Sequence, residues 1–230
     1  MTDEPEAAGA ALLQQVAARR GYALSYHRMF AAHDPALLAA YDAYYRELTL
    51  TPRALDPQAR EVVWIALQAA TRKQHGIIHL RRAEACGMDT EAITDSLAVA
   101  AAVEAWPVLA FGDQHWAEWT PLSRGKFRYL RMFEAARGAL PAAWAELAAI
   151  TCHAARLTHD GQVLHMRRAA AAGVTAAMIA EALSYLLLPA GGPVLIDAVN
   201  AWAQAHEADP AGVPPPYAPS PDAAVPDASS

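Results

Sequence analysis

An internal repeat constrains this chain more than any other feature. His79-Leu-Arg-Arg-Ala-Glu-Ala-Cys-Gly87 returns as His165-Met-Arg-Arg-Ala-Ala-Ala-Ala-Gly173, 86 residues later. The same offset carries Asp89 to Thr175, Ile93 to Ile179, Leu97 to Leu183, Pro107-Val-Leu to Pro193-Val-Leu, and Trp116 to Trp202. Alanine-rich helices agree by chance; histidine, glycine, proline and tryptophan at one ungapped offset over some 38 positions do not. One structural unit therefore occurs twice in tandem.

The unit is helical. Alanine, the best helix former, dominates many segments, and long alternating β-branched runs are absent. Asp34-Pro35 and Asp56-Pro57 each place a capping carboxylate before a proline at the first helical position. Helices are predicted from about Ala10 to Gly21, Ala23 to Ala32, Pro35 to Leu48, and over Gln58–Ala85 with a break near Thr71–Gly76. Gly87 stops that segment, Asp89 caps a helix through about Ala102, and Pro107 precedes another through about Trp116. The expected organisation is an N-terminal helical extension (1–34), a first unit (35–119), a second, diverged unit (120–206) and a Pro/Ala/Ser-rich tail (207–230), disordered or draped on the surface.

Composition narrows the function classes. The net charge of −6 and the lack of a basic stripe argue against nucleic-acid binding. Two cysteines, Cys86 and Cys152, make no disulfide framework, and the acidic start lacks a basic signal-peptide region, so a cytoplasmic location is expected. The most apolar stretch, Leu97 to Phe111, contains Glu104 and Pro107; it reads as too short and interrupted to span a bilayer, and no membrane partner is expected.

Arg72, His75, His79 and Arg82 follow at spacings of three, four and three, which on one helix would put them on one face. Histidines one turn apart suit proton exchange, anion binding or a shared metal, and arginine offers a forked cation to carboxylates. Glu61 on the preceding segment is placed to fix an imidazole tautomer, unless it is simply an acid in the first turn of its helix. His115 lies near the end of the unit beside aromatics. In the second copy the matching positions are Thr158, Gly161, His165 and Arg168; Glu61 maps to Leu147, or to Glu146 after a one-residue shift. One complete site per chain is the functional reading; buried structural histidines at 79 and 165 are the bland one.

Arg60-Glu61-Val-Val, apolar turns, a histidine followed by an Ala-rich turn and Gly, then an Asp/Thr-capped helix resemble the carboxymuconolactone decarboxylase-like and alkylhydroperoxidase D-like superfamily. The resemblance covers about residues 35–117, and about 120–203 as a divergent copy. It implies an all-α fold of two tandem units related by internal duplication. Peroxidase members carry Cys-x-x-Cys-x-x-x-His. Here the histidine falls on His79 and the cysteine positions on Arg72 and His75, so a thiol-based peroxidase is not expected.

The resemblance to the decarboxylase branch implies a cofactor-independent lyase acting on a small carboxylated lactone or ring compound. It assigns proton transfer to His79, with His75, Glu61 and His115 as further catalytic candidates and Arg72 or Arg82 as carboxylate holders. No metal or cofactor is implied; a small anionic organic substrate and a homo-oligomer, a trimer of duplicated chains, are. Two alternatives stay open: a metal site built on His75 and His79, with Glu61 or His115 as third ligand, and a non-catalytic oligomeric member that lost the peroxidase cysteines.

Overall fold

The computed structural model describes residues 4–217, which fall into two compact units divided between Thr51 and Pro52. Among the described residues there is no strand.

The first unit holds α1 (Glu4–Arg20), α2 (Ser25–His33) and α3 (Pro35–Thr49), packed mutually around Val16, Ala31 and Leu38. Helix α1 begins six residues earlier than the apolar pattern predicts. Its polar core centres on the fully buried Arg20 side chain. The guanidinium bonds Asp42, meets His27 Nε2 at 3.0 Å and lies 3.8 Å from the Tyr45 ring centroid. Burial, then the Arg20 charge, lower the His27 pKa to about 4.

The second unit contains α4 (Pro57–Ala70), α5 (Ile77–Ala85), α6 (Thr90–Val103), α7 (Trp106–Trp116), α8 (Leu122–Arg137), α9 (Ala142–Ala155), α10 (His159–Ala171), α11 (Ala176–Ser184) and α12 (Gly192–Ala208). Single 3-10 turns precede α5 (Gln74–Gly76) and follow α11 (Tyr185–Leu187). Helices α4 to α7 have their repeat counterparts in α9 to α12. The homologous pair α4 and α9 pack against each other at the centre, through Val62, Ala66 and Ala70 on one side and Ala145, Ala148, Ala149 and Cys152 on the other. Small side chains there let the axes approach closely. Phe133 of α8 and Val99 and Val103 of α6 complete this core.

The punctuation read from the sequence holds. Asp34 accepts from Leu37 N, Asp56 from Gln58 N and Ala59 N, Asp89 from Ala92 N, and Thr175 from Met178 N, each cap stabilising its helix by about 1 kcal/mol. Gly87 and Gly173 end their helices at φ +86° and +81°.

One expectation is corrected. Helix α4 ends at Ala70, and Arg72 turns into the left-handed region at φ 58° before the 3-10 turn. Residues 72, 75, 79 and 82 therefore do not lie on one helix face. The predicted Pro/Ala/Ser tail is partly ordered: Val213 is buried, Trp202 Nε1 donates to Pro214 O at 2.7 Å, and His206 Nδ1 donates to Val213 O at 2.7 Å. Its remainder, 218–230, lies outside the described residues. By length and composition the stretch Thr90–Trp116 is apolar enough to cross a membrane, although it contains the turn at Glu104 and Ala105.

Candidate functional site

Helix α4 presents Glu61, Ile65 and Gln68 along one edge, at i, i+4 and i+7, and Arg72 follows just beyond its end. At the foot of this edge Glu61 Oε2 faces His79 Nδ1 of α5 at 2.8 Å, with both side chains buried. Arg60 Nε donates to the other Glu61 oxygen at 3.2 Å. A carboxylate held this way accepts a hydrogen bond from Nδ1–H and leaves Nε2 as the working nitrogen. Trp64 stacks on the imidazole, centroids 4.4 Å apart, and Tyr185 stacks on the same indole at 4.5 Å. The Tyr185 hydroxyl donates to Glu181, which also accepts from Ala54 N and Leu55 N. Burial lowers the His79 pKa against the pull of Glu61, so the resting ring is neutral.

Higher on the same edge lies a cavity of about 520 Å³, lined by Ile65, Gln68, Arg72, Ile77, Leu80 and Leu97 among others. Its walls are apolar and its mouth carries Arg72 and Lys73. His79 does not itself line it; Leu80 next to it in the chain does, and the α4 edge runs from the cavity down to Glu61.

The sequence-based site is thus split. Glu61 and His79 meet, and Arg82 is half-buried close enough for its charge to oppose protonation of His79. Arg72 reaches the cavity mouth, but its guanidinium also caps α4, donating to Ala69 O and Ala70 O at 2.9 and 2.8 Å and pairing with Glu104 at 3.3 Å. His75 is exposed on the 3-10 turn, whereas His79 is buried on α5. His115 is exposed at the end of α7 against the Phe111 ring. Among the described residues, no three His, Cys, Asp or Glu side chains gather as a metal site would require, so His75, His79, Glu61 and His115 do not form the ligand set considered above. Cys86 is half-buried, its thiol raised by burial, and Cys152 is buried with its thiol raised the same way.

In the second copy Glu146 Oε2 faces His165 Nδ1 at 2.6 Å, and Arg168 Nε donates to Glu146 Oε1 at 2.7 Å. The one-residue shift is therefore real. Helices α4 and α9 correspond at offset 85, the histidines of α5 and α10 at offset 86, with the extra residue falling between Gly161 and His165 within α10. Here the histidine is sealed. Tyr129 of α8 brings its hydroxyl to 2.6 Å from His165 Nε2 and 2.9 Å from His153 Nε2, and His153 Nδ1 meets Thr158 Oγ1 at 2.7 Å. Trp106 packs edge-on against Tyr129 at 4.9 Å and bonds Asp160. Tyr129, His153 and His165 have no exposed surface. Burial pushes Glu146 and Tyr129 up and both imidazoles down.

Neither Tyr129 nor His153 was among the sequence candidates. Nor was Gln68, the copy-one counterpart of His153, and only the shifted alignment of α4 on α9 would have exposed that pair. The repeat, the helical units and the duplicated Glu–His pair already narrow the ancestry. The family model described as Carboxymuconolactone decarboxylase family matches residues 35–112 and again 125–204. The chain belongs to that family. Comparison with curated proteins gave no significant match, and comparison with solved structures gave none. Within the carboxymuconolactone decarboxylase family this is a duplicated chain. Both copies keep the Glu–His pair, and the second buries it under its own tyrosine.

Proposed function

We propose that the protein is a cofactor-independent lyase of the decarboxylase type, acting on a small carboxylated lactone or ring compound through His79. The observation that carries this reading is the buried Glu61–His79 pair on α4 and α5, the two helices whose Ile65, Gln68 and Leu80 line an apolar cavity edged by Arg72 and Lys73. Arg72 and Lys73 would draw in and orient an anionic substrate, while the apolar walls favour a carboxylate that sheds its charge. The carbon–carbon bond to the carboxyl group breaks, carbon dioxide leaves, and the electron pair spreads into the ring as a dienolate. His79 then delivers a proton from Nε2 to the ring carbon. The neutral ring first takes a proton from solvent onto Nε2, Glu61 on Nδ1 stabilises that imidazolium, and delivery to carbon returns the ring to its neutral resting form. A neutral resting imidazole suits this order, because an anion brought alongside raises its proton affinity just when the proton is needed.

The test is carbon dioxide release from a panel of carboxylated γ-lactones. His79→Ala should abolish turnover, and Arg72→Ala should raise KM more than it lowers kcat. Turnover that survives His79→Ala removes the proposal. The trimeric assembly suggested by the resemblance is likewise a proposal, to be decided by light scattering; a monomer at micromolar concentration rejects it.

A further inference from the structure

The second copy shows what its Glu–His pair holds. Burial raises the Glu146 pKa to about 7; above that pH, with Glu146 ionised under Arg168, His165 Nδ1 carries the proton and Nε2 is an acceptor, so Tyr129 donates to it. The Tyr129 oxygen then accepts from His153 Nε2–H, and the Thr158 hydroxyl is shared between His153 Nδ1 at 2.7 Å and His153 O at 3.2 Å. A planar ring with an acidic hydroxyl thus sits between a side chain of α9 and the histidine of α10, every donor matched to an acceptor. The α9 side chain, His153, corresponds at offset 85 to Gln68 of α4, and His165 corresponds to His79.

The correspondence is structural as well as sequential. Gly161 leaves room for His153, since a β-carbon there would strike the imidazole, and Gly76 leaves room for Gln68 in the same way. In the first copy Gln68 lines the cavity, and the edge of α4 it belongs to leads down to Glu61 and His79. The counterpart of His153, which holds one side of the Tyr129 ring in the second copy, is thus a cavity-wall residue in the first, and Leu80 of the same wall adjoins His79 in the chain.

We propose that the first copy's cavity binds a planar ring bearing a phenolic or enolic hydroxyl, held between the Gln68 amide and His79, as Tyr129 is held between His153 and His165. Gln68 is then the residue that selects the hydroxyl. This rests on the assignment of the His79 cavity as the substrate site and specifies the ligand's chemistry.

The test titrates the full-length protein with phenol and with toluene, following the His79 imidazole resonance, assigned by its loss in His79→Gln. Phenol should shift that resonance and bind at least tenfold more tightly than toluene. Gln68→Ala should weaken phenol about tenfold, as expected for one lost hydrogen bond, and leave toluene unchanged. Equal affinities for phenol and toluene, an unchanged phenol affinity in Gln68→Ala, or no binding of phenol each overturns the proposal. A second arm uses Tyr129→Ala. Phenol, but not toluene, should raise its melting temperature and shift His165; a folded Tyr129→Ala protein indifferent to phenol counts against the proposal. If that variant does not fold, the wild-type arm still decides. No turnover is read, so hydroxyl-selective binding without carbon dioxide release would reject the lyase reading and leave this one standing.

Discussion

Replacing Tyr129 by Phe removes one oxygen and almost no volume. The ring keeps its packing against Trp106 and Phe133, but the hydroxyl linking His165 and His153, at 2.6 and 2.9 Å, is gone. All three residues are fully buried, so no water replaces it. One Nε2 is left as an unpaired acceptor and the other as an unpaired donor. Each such orphan costs about 1–3 kcal/mol. The rings lie only 5.2 Å apart and can partly adjust, so about 3 kcal/mol is expected in total. For a unit of this size that is a fall in Tm of roughly 6–12 °C. Tyr185→Phe is the control. Its hydroxyl also bonds a buried carboxylate, but Glu181 keeps two backbone donors at Ala54 and Leu55, so about 1 kcal/mol is expected. Urea unfolding followed by near-ultraviolet circular dichroism measures both. A Tyr129→Phe protein within 0.5 kcal/mol of wild type, or one less damaged than Tyr185→Phe, would refute the directional chain described above.

Other expectations follow from separate features. Glu61→Gln removes the charge that supports an imidazolium at His79, and kcat on any substrate found should fall about 10²-fold or more; an unchanged kcat would mean the pair is only structural. Gly161→Ala forces a β-carbon into the His153 ring and should cost about 1–3 kcal/mol in a urea melt. Gly173→Ala meets no neighbour but must hold φ +81°, which costs about 1 kcal/mol; the reverse ranking would contradict the close approach of Gly161 to His153. His27, lowered to about 4 in the folded first unit, is protonated first in the unfolded chain. Its stabilisation is present above the ordinary histidine pKa of about 6.5 and is lost as pH falls toward 4, so His27→Gln should flatten that part of the acid-unfolding curve. Cys152 should resist a thiol reagent until the protein unfolds, whereas Cys86 should react first.

The helices and their ends were legible in the sequence because their causes are local. Asp-Pro caps, stop glycines and alanine-rich faces act within one or two turns. The repeat was legible because Gly87/Gly173 and His79/His165 recur at fixed offset in the primary structure. Half of the site came with it: Glu61 and His79 sit on helices adjacent in the chain, and the Glu146 alternative already pointed to the shifted register. Their pairing in both copies follows from the same local architecture.

What needed the tertiary structure depends on backbone turns and on contacts distant in sequence. The spacing of Arg72, His75, His79 and Arg82 suits a continuous helix, but a left-handed residue at Arg72 breaks that helix, capped by its own guanidinium on the α4 carbonyls. No spacing rule reports a single positive φ. Likewise, nothing near His165 in the chain announces Tyr129, which arrives from α8, 36 residues away, to occupy its Nε2. The sequence by itself determined two copies of one helical unit with a Glu–His pair in each. Only the placement of α8, packed on α6 and α7, decided that the second pair is closed, because its buried Tyr129 hydroxyl must find partners and His153 and His165 supply both.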